Sequence, residues 1–168
     1  MRSSKRSGGF TYLGVLFLVA IMGILLAATG VIWSTVSQRD KERELLFIGN
    51  EFRKAIGSYY ERTPGAVKKY PPSFNDLLKD NRQLATVRHL RRLYPDPITM
   101  KAEWGIVRAS DNGIMGVYSL STQGTIKQGS FAQRDISFEK AATYAEWRFV
   151  YEPPQPVLFK APPEIFGK

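Results

Sequence analysis

From Phe10 to Trp33 the chain carries no charged residue. At ~1.5 Å of rise per residue the run reaches roughly 36 Å as a helix, against a bilayer hydrocarbon core of ~30 Å. A secretory signal has an apolar region of about 7–15 residues that ends in a small-residue cleavage site. This run is longer and no Ala-x-Ala-like site closes it. The expectation is a transmembrane helix over residues 10–33 that is kept, with some tilt. Charge counting does not orient it. Arg2, Lys5 and Arg6 precede the run, but Arg39, Lys41, Arg43, Arg53 and Lys54 follow closely.

Within the run, Ala20, Gly23, Ala27, Gly30 and Ser34 fall three and four residues apart in alternation. That spacing places them on one helix face, and small residues let helices approach closely in lipid. From Arg39 the stretch RDKERE reads as solvated helix with opposite charges three residues apart. Leu45, Ile48, Phe52, Ile56 and Tyr59 then recur at helical spacing, a single apolar stripe on which a domain can pack. Thr63-Pro64-Gly65 ends the helix near Arg62. The pattern predicts one helix of roughly 50 residues, membranous in front and amphipathic behind.

Short elements follow. Ser73 and Asp76 can cap a brief helix with Leu77 and Leu78 inward. Thr86 can cap a second, with Val87, Leu90 and Leu93 inward, ended by Tyr94-Pro95-Asp96-Pro97. Residues 104–108 and 114–120 read as strands around the turn Ser110-Asp111-Asn112-Gly113. Residues 139–145 read as a weak helix, 147–151 as a third strand, and the Pro-rich tail from Glu152 as extended. The fold class expected is α+β: a long N-terminal helix packed on a small antiparallel β-sheet.

The chain has 168 residues, no cysteine and one histidine, with a net charge of +9. Outside the membrane run about 130 residues remain, enough for one domain. Disulfides and thiolate metal sites are excluded. No catalytic constellation is present, so the chain reads as a non-enzyme, with no cofactor and no metal. Asp76, Asp80, Asp96 and Asp111 lack the spacing of an EF-hand loop. His89, in VRHLRRL, reads as a solvated surface residue. The basic run Arg88, His89, Arg91, Arg92 has two readings: the solvated face of a short helix, or a nucleic-acid patch with Tyr94 close by. Core or subunit packing accounts for Tyr59, Tyr60 and Tyr70.

The front edge of the apolar run carries a resemblance. A basic leader, Gly8-Gly9, then Phe10-Thr11-Tyr12-Leu13 opening a long apolar helix resembles the type IV prepilin signal. That resemblance implies cleavage by prepilin peptidase between Gly9 and Phe10, N-methylation of Phe10, and a helix that serves first as membrane anchor and then as fibre core. The runs ELLFIGNEFRKAIGSYY, YPPSFNDLL, LRRLYPDP, EWGIV and NGIMGVYSLS look like the major pseudopilin group of type II secretion as far as Ser121. Two features depart from that pattern. Gly14 stands where the family usually has a Glu, which points to a minor or tip position. STQGTIKQGSF has no acid where the group usually places a calcium site, so no metal is carried over.

The resemblance thus implies a leader over residues 1–9, the transmembrane and fibre-core helix over 10–33, a periplasmic globular domain over 34–151 that includes the helix continuation to about 62, and the tail over 152–168. It implies a single-pass protein of the bacterial inner membrane with a cytoplasmic N-terminus, assembled into a short periplasmic fibre. The implied partners are the peptidase, other pseudopilins, the assembly platform and membrane lipid. Two alternatives stand beside it: a competence or type IV pilus component binding DNA through its basic face, and an unprocessed bitopic protein.

Overall fold

The computed structural model describes residues 8–154, with the side chains of 8–10 and 25–32 left outside the description. A single helix, α1, runs from Gly8 to Glu61 over 54 residues. Its end agrees with the Thr63-Pro64-Gly65 break: Arg62 and Thr63 still donate backward to the carbonyls of Ser58 and Tyr60, and Gly65 takes a positive φ of 85°. From Leu45 onward the apolar stripe is buried as its spacing predicts. Leu45, Phe52 and Ile56 are fully enclosed, and Ile48 and Tyr59 nearly so.

The stripe faces a three-stranded antiparallel sheet in the order β1 (Gly105–Arg108), β2 (Ile114–Tyr118), β3 (Phe149–Val150). The hairpin forms around Asn112, whose φ of 63° the Asn side chain tolerates. The strands are shorter than the sequence pattern predicts, and a register shift falls between Val107 and Arg108. β3 lies close over α1. A Cβ on Gly49 would overlap the Phe149 ring, and one on Gly57 would sit 2.6 Å from Tyr151. Phe149, Phe138, Trp147, Tyr144 and Phe131 form an aromatic cluster on this side, with Phe138 and Trp147 stacked at 5.5 Å.

The helix α2 (Phe74–Leu78) starts where expected. Ser73 and Asp76 form a capping box, Leu77 is fully buried and Leu78 half-buried against the core. The second short helix does not form. Residues 86–93 instead lie along α2, where Val87 exchanges backbone hydrogen bonds with Asp80 at 2.8 and 3.0 Å and the amides of His89 and Leu90 both donate to Leu77 O. Those bonds take the amides a helix would need. Thr86 donates its hydroxyl to Asn81 and caps nothing. The helix expected over 139–145 is also replaced. A 3-10 helix covers Gln133–Lys140, Ala141 is extended, and a second one-turn 3-10 helix covers Tyr144–Glu146. Thr143 and Glu146 form a capping box that opens the new turn there, which splits the predicted element.

Two buried carboxylates lock the outer segments. Asp135 in the first 3-10 helix meets Arg53 of α1 at 2.8 Å, with side-chain exposures of 5% and 13%. Asp96, fully buried, accepts from Ile98 N, Thr99 Oγ1 and Ser119 Oγ and so ties the Asp-Pro turn to the end of β2.

Candidate functional site

From Tyr12 to Ile24 the apolar side chains of α1 stand exposed. Every side chain from Thr11 to Ala20 and on to Ile24 is exposed, including Leu13 at 66%, Phe17 at 70% and Ile24 at 70%. No atom outside the helix lies within 4 Å of a Cβ built on Gly14 or Gly23. Of the small-residue face, Ala20, Gly23 and Ser34 lie on this exposed surface. Ala27 and Gly30 are helical, but their side chains lie outside the described residues, as does the side chain of Phe10. Gly9 and Phe10 fall in the first turns of α1, and the leader before Gly8 is outside the description. Among the described residues no helix is long and apolar enough to cross a membrane. Residues 25–32, in the later part of the 10–33 run, are outside those whose side chains are described.

Past Trp33, itself 78% exposed, the helix becomes charged and at Gln38 bonds to the domain. Gln38 Nε2 donates to Gly124 O at 3.1 Å and to the Tyr144 hydroxyl at 2.8 Å. One turn on, Glu42 is only 3% exposed. Its Oε1 accepts from Ile126 N at 2.7 Å, Lys127 N at 3.1 Å and the Tyr144 hydroxyl at 3.0 Å. Glu42 therefore departs from the solvated reading of RDKERE: its turn of the helix lies under the loop that follows β2. Its neighbours keep that reading. Asp40 and Arg43 pair at 2.9 Å in solvent. Burial pushes the Tyr144 phenol up to about 12, with the Gln38 bond opposing and the Glu42 carboxylate adding. The acid-free loop is thus fastened by a carboxylate reaching out from α1. Among the described residues no group of three or more His, Cys, Asp and Glu side chains is arranged to hold a metal ion.

A second polar cluster corrects the reading of His89. Its side chain is fully buried, with Nδ1 2.9 Å from Ser58 Oγ and Nε2 3.1 Å from Asp80 Oδ2. Asp80 also accepts two bonds from the Arg82 guanidinium, at 2.9 and 2.7 Å, and one from its backbone amide at 3.0 Å, and the guanidinium lies 3.4 Å from the centre of the Tyr59 ring. The Arg82 hydrogen bonds hold the Asp80 carboxyl well below the usual carboxylate range against the opposing effect of burial. Ser58, His89 and Asp80 stand in the order nucleophile, base, acid. Catalysis of that kind also needs donors aimed at an oxyanion. Ser58 lies inside α1, where backbone N–H groups are taken by the helix itself, and Asp80 is already neutralised by Arg82. The cluster joins α1, α2 and the 86–93 segment. Arg88, Arg91 and Arg92 remain exposed around it, Arg92 over the Tyr94 ring at 5.0 Å.

No family model, no curated protein and no solved structure matches this chain.

Proposed function

We propose that this chain is a membrane-anchored, pilin-like subunit, most closely a pseudopilin of a type II secretion apparatus. The observation that carries this reading is the division of α1. One unbroken helix presents exposed apolar side chains from Tyr12 to Ile24, then buries a single stripe from Leu45 to Tyr59 under the domain. Exposed apolar area costs roughly 25 cal/mol per Å², so side chains such as Leu13, Leu16, Phe17 and Leu18 require lipid or other helices around them. A helix that is apolar all round belongs in a membrane or in the core of an assembly. Under this proposal it occupies the first before extraction and the second in the fibre.

In this reading prepilin peptidase cuts after Gly9 and methylates Phe10, and the apolar half of α1 becomes the shared core of a periplasmic fibre. The new amine then lies among apolar helices and requires a carboxylate partner. Gly14 supplies none, so the subunit enters fibres beside subunits that do. The fold around α1 supports a role in assembly, because the Glu42 and Asp80 clusters hold segments of the domain onto α1.

The test is the mass of the mature N-terminus in cells with an active prepilin peptidase. The expected species starts at N-methylated Phe10, and Gly9→Leu should retain the leader, because the peptidase needs close backbone approach at that glycine. A mature chain still starting at Met1 overturns the proposal.

A further inference from the structure

We infer that the membrane-facing end of the domain carries a binding site for the phosphate of an anionic lipid headgroup, formed by Arg39 and Arg43 of α1 and Lys127 of the 126–129 loop. This rests on the membrane-anchored reading above. A depression of about 340 Å³ opens between these side chains, with Glu42, Leu46 and Gly129 also in its wall. Three cations face it against one carboxylate, and the Oε1 of that carboxylate already accepts three hydrogen bonds. Arg39 is exposed and has no hydrogen bond or ion pair among the described residues. Among the described residues Lys127 Nζ meets the Ser130 carbonyl, at 3.1 Å, and the face of Phe131. Arg43 keeps its guanidinium in solvent, touching Asp40 through one nitrogen.

The depth of these residues argues for lipid. If Trp33 marks the end of the hydrocarbon, Arg39 lies six residues on, or ~9 Å along the axis. The headgroup layer spans roughly 5–7 Å on each side of the core. Side chains of a helix lean toward its N-terminus, so Arg39 reaches back to that layer, with Arg43 one turn behind it. A guanidinium matches phosphate oxygens in its planar geometry, and Glu42 holds the loop that delivers the third cation.

The experiment uses the full chain reconstituted into vesicles of phosphatidylcholine and phosphatidylglycerol, extracted gently, with the co-purifying lipid measured by mass spectrometry. The parent should retain phosphatidylglycerol in preference to phosphatidylcholine. Arg39→Gln with Lys127→Gln should lose the preference by about fivefold per cation removed. Arg88→Gln with Arg91→Gln removes the same charge far from this end and should keep it. Both pairs should melt like the parent. Equal losses from both pairs would reduce the effect to general charge attraction and overturn the site. So would a parent without preference, or phosphatidylglycerol displaced by an acidic segment of a neighbouring subunit when the two are mixed. A chain that fails to float with vesicles at all overturns the anchored reading itself, which separates the two failures.

Discussion

Replacing Glu42 should loosen the domain from the helix that carries it. In Glu42→Ala, Ile126 N, Lys127 N and the Tyr144 hydroxyl all lose the oxygen they share. A hydrogen bond to a charged acceptor contributes about 1.5–3 kcal/mol, and a buried donor left unpaired costs ~1–3 kcal/mol. The two loop amides are only partly buried and can regain water, whereas the Tyr144 hydroxyl is enclosed. A total loss of about 3 kcal/mol follows. In Glu42→Gln the side-chain carbonyl still accepts without its charge, so roughly half of that should return. The assay is urea unfolding of the full chain in detergent, read by tryptophan fluorescence. With a slope of 1–3 kcal/mol per molar, the Ala variant should shift the midpoint by about 1.5 M. A double-mutant cycle with Tyr144→Phe should give a coupling above ~0.5 kcal/mol, since the two side chains touch. An Ala variant as stable as the parent, or a cycle that is additive, would refute the clamp.

Two further outcomes are expected. Burial, with help from nearby carboxylates, pushes Tyr144 and Tyr151 to about 12 from 10.0, so the unfolded chain releases these protons first. Stability should hold below pH ~10 and fall as pH rises toward the folded values, measured as melting temperature along the alkaline limb; Tyr144→Phe should flatten that fall. Gly49→Ala should be less stable than the parent, because the Phe149 ring it meets is fully buried and cannot retreat. Gly57→Ala should be no less stable, since Tyr151 is only half-buried and the helix gains ~1 kcal/mol of propensity; equal effects in urea unfolding would count against this packing.

What the sequence shows and what it hides divide along range of interaction. The stripe from Leu45 to Tyr59, the Ser73–Asp76 capping box and the Asn112 turn are set by residues within a few positions of one another, and all three are present. The face of Ala20, Gly23, Ala27, Gly30 and Ser34 is legible as spacing, and of these Ala20, Gly23 and Ser34 are exposed. The failures involve distant partners. Glu42 looks like one more charge in RDKERE until a loop more than eighty residues away brings two amides to it. His89 looks solvated among arginines, yet Ser58 and Asp80 enclose it from other elements. The segment 86–93 has helical spacing and loses to backbone pairing with α2, an instance of tertiary context overriding local propensity. Arg53 and Asp135 give no local signal either, although each glycine at 49 and 57 hints that something approaches this face of α1.

The placement of the buried acids connects these observations to function. Glu42, Asp80, Asp96 and Asp135 are buried, and each holds a segment that the three short strands do not reach. Glu42 fixes the 126–127 loop, Asp135 fixes the first 3-10 helix through Arg53, Asp96 fixes its turn to β2, and Asp80 holds Arg82 and His89 beside α1. An apolar contact in those places would bury area but leave orientation loose, whereas a carboxylate with several donors sets direction as well. One consequence is electrostatic. Arg53 and Arg82 offset two of these negative charges inside the fold, while Arg39, Arg88, Arg91 and Arg92 stay exposed on the surface. The other is mechanical. Glu42 and Gln38 anchor the domain to α1 only a few residues beyond Trp33, so a pull on the apolar half is transmitted to the domain through side chains as well as through the helix backbone. For a subunit proposed to be drawn out of a membrane by its helix, a short and doubly fastened neck keeps domain and helix moving as one body.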